Sequence, residues 1–345
     1  MTSINIGLIG LGFMAATHLK AYRKIPGARI AALCNPSGRN LDGDFSQVFG
    51  NVGDKEPLKL DMTGVKACQD FSELLNDPGV DLIDICTPTV THHALAIAAL
   101  QAGKHVVCEK PLARTSQLAR EIADAARQAK GYFMPAMCVR FWPEYAWVRE
   151  AIVTKRYGQT FGARFRRVAE PPAWGQNFFL NGERSGGALL DLHIHDADFA
   201  LYCFGRPQSV FATGYTKISG AIDHVVAQYH YENGPIVHAE GSWAMTPGFG
   251  FNAGFTVNFE KATVDFDLSR GLDALKLFEH GQPACAVKLE GDDGYTRELA
   301  HLLDSIRMRR RPTVVTADDG VAAVELCEAE ERSIRSQKVV AFSSS

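Results

Sequence analysis

Three side chains of this sequence are of types that the oxidation of an alcohol could use. Asp191 and His195 are four residues apart, a spacing that places both on one face of a helix. A histidine titrates near neutrality and can take the proton of a hydroxyl group. Lys110 follows a short apolar run, and its ammonium can stabilise the charge that develops on the alcohol oxygen. Such chemistry also needs an acceptor for hydride.

A glycine-rich turn near the start of the sequence predicts where that acceptor binds. From Gly10 the residues read Gly-Leu-Gly-Phe-Met-Ala, between a predicted strand and a predicted helix. Gly10 allows the tight turn, Gly12 lets the backbone approach a pyrophosphate, and Ala15 keeps the helix close to the sheet. Because of this context we favour dinucleotide binding over an ordinary strand–helix turn, with Phe13 and Met14 beside the cofactor.

The end of the second predicted strand bears on the choice between NAD and NADP. NAD-binding sites usually carry Asp or Glu there to bind the ribose hydroxyls, whereas this sequence has Asn35, followed by Ser37 and Arg39. Without a carboxylate a 2′-phosphate is not repelled, and Arg39 can pair with it. Asn35 can also serve NAD. The residues therefore slightly favour NADP(H) over NAD(H).

The elements that must position these residues alternate between strands and helices in the first third of the chain. Strands are predicted at 4–9, 29–34, 80–86 and 105–108, and helices at 15–25, 71–76 and 91–102. Residues 35–69 are polar and glycine-rich, which predicts a loop with one helix at most. This alternation is typical of βαβ units, in which helices cover both faces of a parallel sheet. Residues 1–135 are thus predicted to form a dinucleotide-binding Rossmann domain.

The pattern changes after about residue 135, where segments of alternating polarity predict an antiparallel sheet. These segments are 162–168, 225–231, 236–242 and 255–259, and helical patterns follow at 295–310 and 318–336. We expect an α+β domain over 136–345 with a large, mainly antiparallel open sheet, serving substrate binding and oligomerisation. The last helix is expected either there or packed back on the first domain.

Composition excludes several classes of protein. The chain has 345 residues, 46% hydrophobic and 22% charged, which fits two globular domains. The net charge is −3 and the basic residues are dispersed, so nucleic-acid binding is not expected; the run from Arg307 to Arg311 fits a solvated helix end. No apolar run is long enough for a membrane span. The eight cysteines form no CxxC pair and the first strand leaves no room for a signal peptide, which favours a cytoplasmic protein.

Three further motifs carry a resemblance to a known family. They are Cys86-Thr87-Pro88-Thr89 with His92, Glu109-Lys110-Pro111, and the stretch from Gly186 through Asp191 and His195 to Asp198. In this order, after the glycine turn, they make the sequence similar to the glucose–fructose oxidoreductase/inositol dehydrogenase (Gfo/Idh/MocA) family of NAD(P)-dependent oxidoreductases. The resemblance extends from the first strand to the last helix.

The resemblance implies hydride transfer between a nicotinamide and a hydroxyl or keto carbon of a sugar, inositol or related polyol. It implies that Lys110 reaches the substrate hydroxyl near the nicotinamide, that Asp191 binds substrate, and that His195 is the acid or base. It places five residues beside the cofactor, namely Cys86, Thr87, Pro88, His92 and Glu109. A cis Lys110–Pro111 peptide fits the same pattern. The candidate substrate residues are Arg140, Arg167, Trp174 and Tyr295.

Some alternatives stay open at this point. Asp198 is expected to be a structural partner rather than a catalyst, and His193 replaces the small residue that many relatives carry. A metal site built from Asp191, His193, His195 and Asp196 is not expected, because histidines two apart diverge on a helix. A catalytically silent NAD(P)-binding sensor is the rival hypothesis. The uncovered sheet face and the resemblance both favour a homodimer or homotetramer through the C-terminal sheet.

Overall fold

The computed structural model describes residues 2–50, 56–173 and 178–342, and these fall into two compact units. The first unit contains described residues up to Cys138 together with Asp293–Val321, and the second contains the rest of the described chain. Among the described residues, no helix combines the length and the apolar character needed to cross a membrane.

A six-stranded parallel sheet forms the centre of the first unit, in the order β3-β2-β1-β4-β5-β6. Its strands are β1 (Ile4–Ile9), β2 (Ala28–Cys34), β3 (Lys66–Cys68), β4 (Leu82–Ile85), β5 (His105–Glu109) and β6 (Phe133–Ala136). The central strands β1, β4 and β5 are almost wholly buried, as expected for a parallel sheet covered on both faces.

The helices of the first unit begin and end where local chemistry favours it. They are α1 (Phe13–Tyr22), α2 (Phe71–Asn76), α3 (His92–Gln101), α4 (Ser116–Gln128) and, from later in the chain, α9 (Gly294–Arg307). The side chains of Asp70, Thr115 and Asp293 accept hydrogen bonds from the first turns of α2, α4 and α9. Arg311 donates to the carbonyls of Ala126 and Ala129 at the end of α4, so the basic run is in part a helix cap.

A nine-stranded sheet forms the second unit, in the order β14-β13-β12-β11-β7-β10-β9-β8-β15. Its strands are β7 (Thr160–Ala169), β8 (Ser209–Tyr215), β9 (His224–His230), β10 (Ile236–Ser242), β11 (Phe251–Phe259), β12 (Ala262–Asp267), β13 (Leu275–Glu279), β14 (Cys285–Ala286) and β15 (Val340–Ala341). All neighbouring strands pair antiparallel except β7 and β10, which are parallel. Alternate residues such as Val225, Ala227 and Tyr229 are buried, and this face forms the core.

Helices cover that buried face of the sheet. They are α5 (Pro143–Val153), α6 (Gly182–Ser185), α7 (Gly187–Asp191), α8 (Ile194–Phe204) and the larger part of α10 (Ala317–Ser336). The Tyr145 ring of α5 contacts Phe199 of α8 and Phe255 and Phe266 of the sheet, with centroids 4.9–5.7 Å apart. These aromatic contacts fix α5 and α8 over the middle of the sheet.

The predicted fold class is confirmed, with corrections to single elements. Helix α1 ends at Tyr22, earlier than expected. The described residues of 35–69, which are 35–50 and 56–69, hold the short strand β3 and an isolated bridge between Asp44 and Lys59, and no helix. Helices α4 and α5 and the outer strands of the large sheet were not predicted. Lys110–Pro111 is a cis peptide, as the resemblance implied.

Candidate functional site

The glycine turn lies at the carboxyl end of β1 and opens α1. Gly10 has φ +84°, and a Cβ added there would lie 2.7 Å from the Thr87 side chain and 2.8 Å from the Cys86 carbonyl carbon. A larger residue is therefore excluded. Gly12 is the N-cap of α1, and an added Cβ would have no neighbour within 4 Å. The backbone at Gly12 thus faces open space, which leaves room for a ligand to approach it.

The end of α1 at this turn has the properties of an anion site. The Gly12 cap provides no side-chain hydrogen bond, and the first turn of α1 carries no acidic residue. The first backbone N–H groups of a helix and its dipole favour a phosphate there. Ala15 is fully buried, while the Phe13 ring packs against Gly50, where an added Cβ would lie 2.1 Å from it. The predicted cofactor contacts of Phe13 and Met14 stay predictions.

The loop after β2 is ordered by its own polar side chains. The Asn35 side-chain amide donates to the Arg39 carbonyl at 2.7 Å, and its oxygen accepts from the Ser37 hydroxyl at 3.0 Å. Arg39 Nε donates to the same hydroxyl at 3.3 Å. The three residues predicted to meet the adenosine ribose therefore form one small hydrogen-bonded group.

Sequence reasoning missed Asn40 in this loop. Its side-chain amide donates to the Leu11 carbonyl at 2.8 Å and so ties the loop to the glycine turn. Asn40 has φ +60°, a conformation that asparagine tolerates better than most residues. An asparagine beside glycines in a polar loop was the one available signal.

His92 joins the ends of two neighbouring strands. One ring nitrogen lies 2.8 Å from the carbonyl of Thr87, after β4, and the other lies 2.8 Å from the carbonyl of Pro111, after β5. Burial lowers the pKa of His92, although both carbonyls favour the charged form. These contacts make His92 a brace for the predicted cofactor segments Cys86–Pro88 and Glu109–Lys110. A direct contact of His92 with the cofactor stays a prediction.

Lys110 follows β5 at the same edge of the sheet as the glycine turn, because β1, β4 and β5 are parallel neighbours. The Glu109 carboxylate, which is 5% exposed, accepts from the Lys110 backbone N–H at 3.1 Å. The strand end that carries Lys110 is therefore held from inside the unit. The residues predicted to contact the cofactor therefore follow the ends of three strands, β1, β4 and β5, at one edge of the parallel sheet.

The structure corrects the predicted helix through Asp191 and His195. Helix α7 ends at Asp191 and α8 begins at Ile194. Between them the His193 N–H donates to the Ala188 carbonyl five residues back, at 2.8 Å, which is a wider, π-type turn. Asp191 and His195 therefore do not share one continuous helix, and the expectation of a regular i, i+4 pair was wrong. Both side chains are half-buried.

Two predicted substrate residues are buried in ion pairs of the second unit. Arg140 Nε and Nη2 lie 2.8 and 2.6 Å from the Asp198 carboxylate oxygens, and Arg167 Nε lies 2.9 Å from that of Asp196. Both arginines are at most 3% exposed. The ion pair with Arg140 fits the structural role expected for Asp198, which stays a prediction. Contact of Arg140 or Arg167 with substrate stays a prediction.

The remaining predicted substrate and catalytic residues lie in different parts of the molecule. Tyr295 is half-buried in the first turn of α9, in the first unit, and its predicted substrate contact is untested. Trp174 lies outside the described residues. Lys110 belongs to the first unit, whereas Asp191 and His195 belong to the second, so their joint action stays a prediction.

One cluster of possible metal ligands occurs in the described part of the chain: His18, Asp84 and Cys86, with ligand atoms within 4.8 Å of one another. His18 Nδ1 lies 2.8 Å from Asp84 Oδ2, and Cys86 Sγ lies 3.3 Å from Asp84 Oδ1. The side chains of the cluster form hydrogen bonds with one another, so we describe it as a hydrogen-bonded network. Sequence reasoning missed it, because an isolated histidine in an apolar helix gives no local signal.

The fold and the glycine turn together define a class of protein. A parallel sheet with a tight turn after its first strand, an uncapped helix N-terminus and open space at Gly12 fits the pyrophosphate of a dinucleotide. Gly10, Gly12 and Ala15 would hold it, with the loop from Asn35 to Arg39 beside the adenosine. The chain is a dinucleotide-binding protein with a second, sheet-based unit.

Comparison with known proteins identifies the family. Residues 4–137 match the profile of the oxidoreductase family with an NAD-binding Rossmann fold, and residues 145–265 match the C-terminal domain of the same Gfo/Idh/MocA family. The chain belongs to the Gfo/Idh/MocA family of oxidoreductases. The predicted family, the nicotinamide cofactor and the NAD(P)-dependent oxidoreductase function are confirmed at this level.

Individual relatives agree with this placement. Myo-inositol 2-dehydrogenase of Thermotoga maritima is 26% identical over 98% of both chains. Levoglucosan dehydrogenase of Pseudarthrobacter phenanthrenivorans is 29% identical over 61% of this chain and 54% of its own. Among solved structures, levoglucosan dehydrogenase with NADH and levoglucosan has TM-score 0.83 at 21% identity, covering 99% of each chain. The last similarity is one of fold.

Proposed function

We propose that this oxidoreductase interconverts a hydroxyl and a keto group on a sugar, an inositol or a related polyol. The observation that carries the proposal is the edge of the parallel sheet, where the uncapped N-terminus of α1 and Lys110 lie two strands apart. Relatives named as inositol and levoglucosan dehydrogenases support this substrate class.

The proposed roles follow from the chemistry of each side chain. The bound nicotinamide supplies the acceptor or donor of hydride. The Lys110 ammonium stabilises negative charge on the reacting oxygen, and His195 takes the hydroxyl proton or returns it. Asp191 binds a substrate hydroxyl as an acceptor of its hydrogen bond. These assignments rest on the family motif and on residue type.

The cofactor is proposed to be NADP(H) rather than NAD(H). The loop after β2 offers the Ser37 hydroxyl and the Arg39 guanidinium, already in contact at 3.3 Å, and no carboxylate at position 35. Both groups suit a 2′-phosphate. The ratio of kcat/KM with NADPH to that with NADH checks this choice.

We also propose a homo-oligomer in the cytoplasm. The outward face of the large sheet carries large apolar side chains, namely Phe211, Tyr215, Val226 and Ile236, which are 41–64% exposed. Arg164 and Arg166 lie beside Glu240 on the same face, so the surface offers both signs of charge to a second copy. The mass of the assembly in solution tests this.

Replacement of Lys110 tests the proposed reaction. In Lys110→Ala the reacting oxygen loses its stabilising charge, and kcat should fall about 100- to 1,000-fold. Binding of NADPH should stay within about threefold, because the glycine turn is untouched. Steady-state absorbance with a panel of inositols and sugars, together with quenching of protein fluorescence by NADPH, measures both.

The exposed Lys130 of the same unit provides the matched control. Lys130→Ala should keep the turnover of the unaltered protein. Near-normal turnover in Lys110→Ala would remove Lys110 from the mechanism. Cofactor binding without turnover of any polyol by the unaltered protein would favour the sensor instead.

A further inference from the structure

A buried polar network lies between α1 and the strands β4 and β5, in the first unit. The His18 ring of α1 lies between two carboxylates: Nδ1 is 2.8 Å from Asp84 Oδ2, and Nε2 is 3.1 Å from Glu109 Oε1. His18 and Asp84 are fully buried and Glu109 is 5% exposed. No role has been given to His18 or Asp84 by the sequence, and the proposed reaction uses neither.

The Asp84 end of this network is rigidly held. Its Oδ2 accepts from the Tyr22 hydroxyl at 2.9 Å as well as from His18, and its Oδ1 lies 3.3 Å from Cys86 Sγ. Three side chains from two elements therefore fix one carboxylate. A buried charge with several donors has a defined orientation, since any movement would break charge-assisted hydrogen bonds.

The Glu109 end of the network reaches the proposed catalytic lysine. Glu109 Oε1 faces His18, while Oε2 accepts from the Lys110 backbone N–H at 3.1 Å. The contact between His18 Nε2 and Glu109 is an ion-pair approach without the alignment of a hydrogen bond. A continuous path of contacts thus runs from the helix of the glycine turn to the backbone of Lys110.

We infer that His18 is a positioning residue, which holds the Glu109 carboxylate and through it fixes the backbone of Lys110 relative to the pyrophosphate helix. The inference deepens the proposed function and rests on the role of Lys110 stated there. His18 itself touches neither substrate nor cofactor in this proposal. Its effect is to hold the glycine turn and the backbone of Lys110 in a fixed position relative to each other.

The charges around His18 support this role. Asp84, Cys86 and Glu109 face it from the two strands, Tyr22 lies on its own helix, Lys110 follows Glu109, and Glu298 of α9 lies near Tyr22. Burial lowers the pKa of His18, but Asp84 and Cys86 together outweigh this and hold the pKa well above its ordinary value. The ring is therefore a cation between two carboxylates. Without the ring, the buried Glu109 carboxylate keeps its contact with the Lys110 backbone N–H but loses its contact with His18.

The first experiment replaces His18 by an uncharged side chain of similar length. In His18→Gln, hydrogen exchange at the Lys110 amide should rise about tenfold or more, because the carboxylate that holds it is released. The dissociation constant for NADPH should stay within about threefold, while kcat falls about 10- to 100-fold with little change in KM. His93→Gln, on the surface of α3, is the matched control and should change none of these.

A second variant reaches the same contact from the other side. Glu109→Gln keeps an oxygen that can accept from Lys110 but loses the charge that faces His18. It should show the same rise in hydrogen exchange at the Lys110 amide and the same fall in kcat. The double variant, His18→Gln with Glu109→Gln, should have a kcat no more than about twofold below that of the less active single variant. This variant also tests the contact if His18→Gln does not fold.

The outcomes separate this inference from the proposed function. Unchanged hydrogen exchange at the Lys110 amide in either single variant that folds would overturn the positioning role. A kcat of the double variant that equals the product of the two single losses would overturn it as well. If the unaltered protein turns over no polyol, the proposed reaction fails, yet exchange and NADPH binding still test His18.

Discussion

Each unit of this protein buries a histidine beside a carboxylate and a tyrosine, but the two histidines are held differently. In the first unit His18 lies between Asp84 and Glu109. In the second, His193 Nε2 lies 3.1 Å from Glu330 Oε2, and the Tyr229 hydroxyl donates to Glu330 Oε1 at 2.6 Å. Thus, among the described residues, the His18 ring contacts two carboxylates, whereas the His193 ring contacts one.

This difference fits a different role for each histidine in its unit. His18 has an acidic partner for both ring nitrogens. Neither His18 Nε2 nor the buried His193 Nδ1 makes a hydrogen bond among the described residues, but His18 Nε2 lies 3.1 Å from Glu109 Oε1, whereas no ion pair of His193 Nδ1 is found there. His193 sits at the N-cap of α8, and its Cβ lies where a side chain at Gly241 would be, so its packing is as important as its charge. The first network connects functional segments; the second locks a helix onto the sheet.

The largest expected effect comes from removing each ring. His18→Leu leaves two buried carboxylates without their cation and should lower the free energy of unfolding by about 3–5 kcal/mol. His193→Leu leaves Glu330 with its Tyr229 hydrogen bond and should cost about 1–3 kcal/mol. Urea unfolding followed by circular dichroism measures both.

The surface residue His93 supplies the control, because its pair with Glu121 is partly exposed. His93→Leu should change the free energy of unfolding by no more than about 0.5 kcal/mol. Equal losses in His18→Leu and His193→Leu would show that the second carboxylate of His18 adds nothing.

A smaller effect tests the packing of His193. A Cβ added to Gly241 would lie 2.5 Å from the His193 Cβ, so Gly241→Ala should cost about 1–3 kcal/mol. His193→Gly removes the clash, and the double variant should recover at least about 1 kcal/mol of the summed losses. Denaturant unfolding of the two single variants and the double variant gives this coupling.

Gly162 of the neighbouring strand β7 is the control for this cycle, since an added Cβ there meets its nearest atom at 3.5 Å. Gly162→Ala should be nearly neutral. Strictly additive losses at Gly241 and His193 would mean that the helix moves away from the sheet and that the two residues do not determine each other.

The two histidines also show how far a sequence can predict such a site. The glycine turn and the Glu-Lys-Pro strand end were predicted correctly in position, because each is a local pattern with a local physical cause. His18 was missed because its partner Asp84 is 66 residues away and both lie in apolar surroundings. His193 was recognised as a departure from the family pattern, yet nothing local points to Glu330.

The secondary structure shows the same division. Segments with strong alternation or glycine boundaries were predicted, such as β1, α3 and β10. The i, i+4 spacing of Asp191 and His195 suggested a regular helix, but the chain makes a wider turn at His193. At that turn His193 packs against Gly241 and Glu330, which come from distant parts of the sequence.

The smallest expected effect is a difference in how stability depends on pH. Burial lowers the pKa of both histidines. Glu330 and Asp196 together outweigh this and raise the pKa of His193, and Asp84 and Cys86 together hold the pKa of His18 well above its ordinary value. Above pH 6.5, the ordinary value, an unfolded chain releases these protons while the folded chain keeps them. Stability is therefore fully present below that pH and falls as pH rises, by at most about 1.4 kcal/mol per pH unit for each proton.

Five histidines have a pKa lowered by burial and oppose this trend while the unfolded chain still holds part of their protons: His92, His105, His224, His238 and His301. Their opposition fades about one pH unit above the ordinary value of 6.5, so the slope is compared between about pH 7.5 and pH 8. The slope of stability against pH should thus be shallower in both His18→Leu and His193→Leu. Because His18 holds its proton more tightly, its contribution should extend to higher pH. A slope near pH 8 that His18→Leu leaves unchanged would mean that the ring is neutral when folded, and the difference between the two networks would then lie in packing alone.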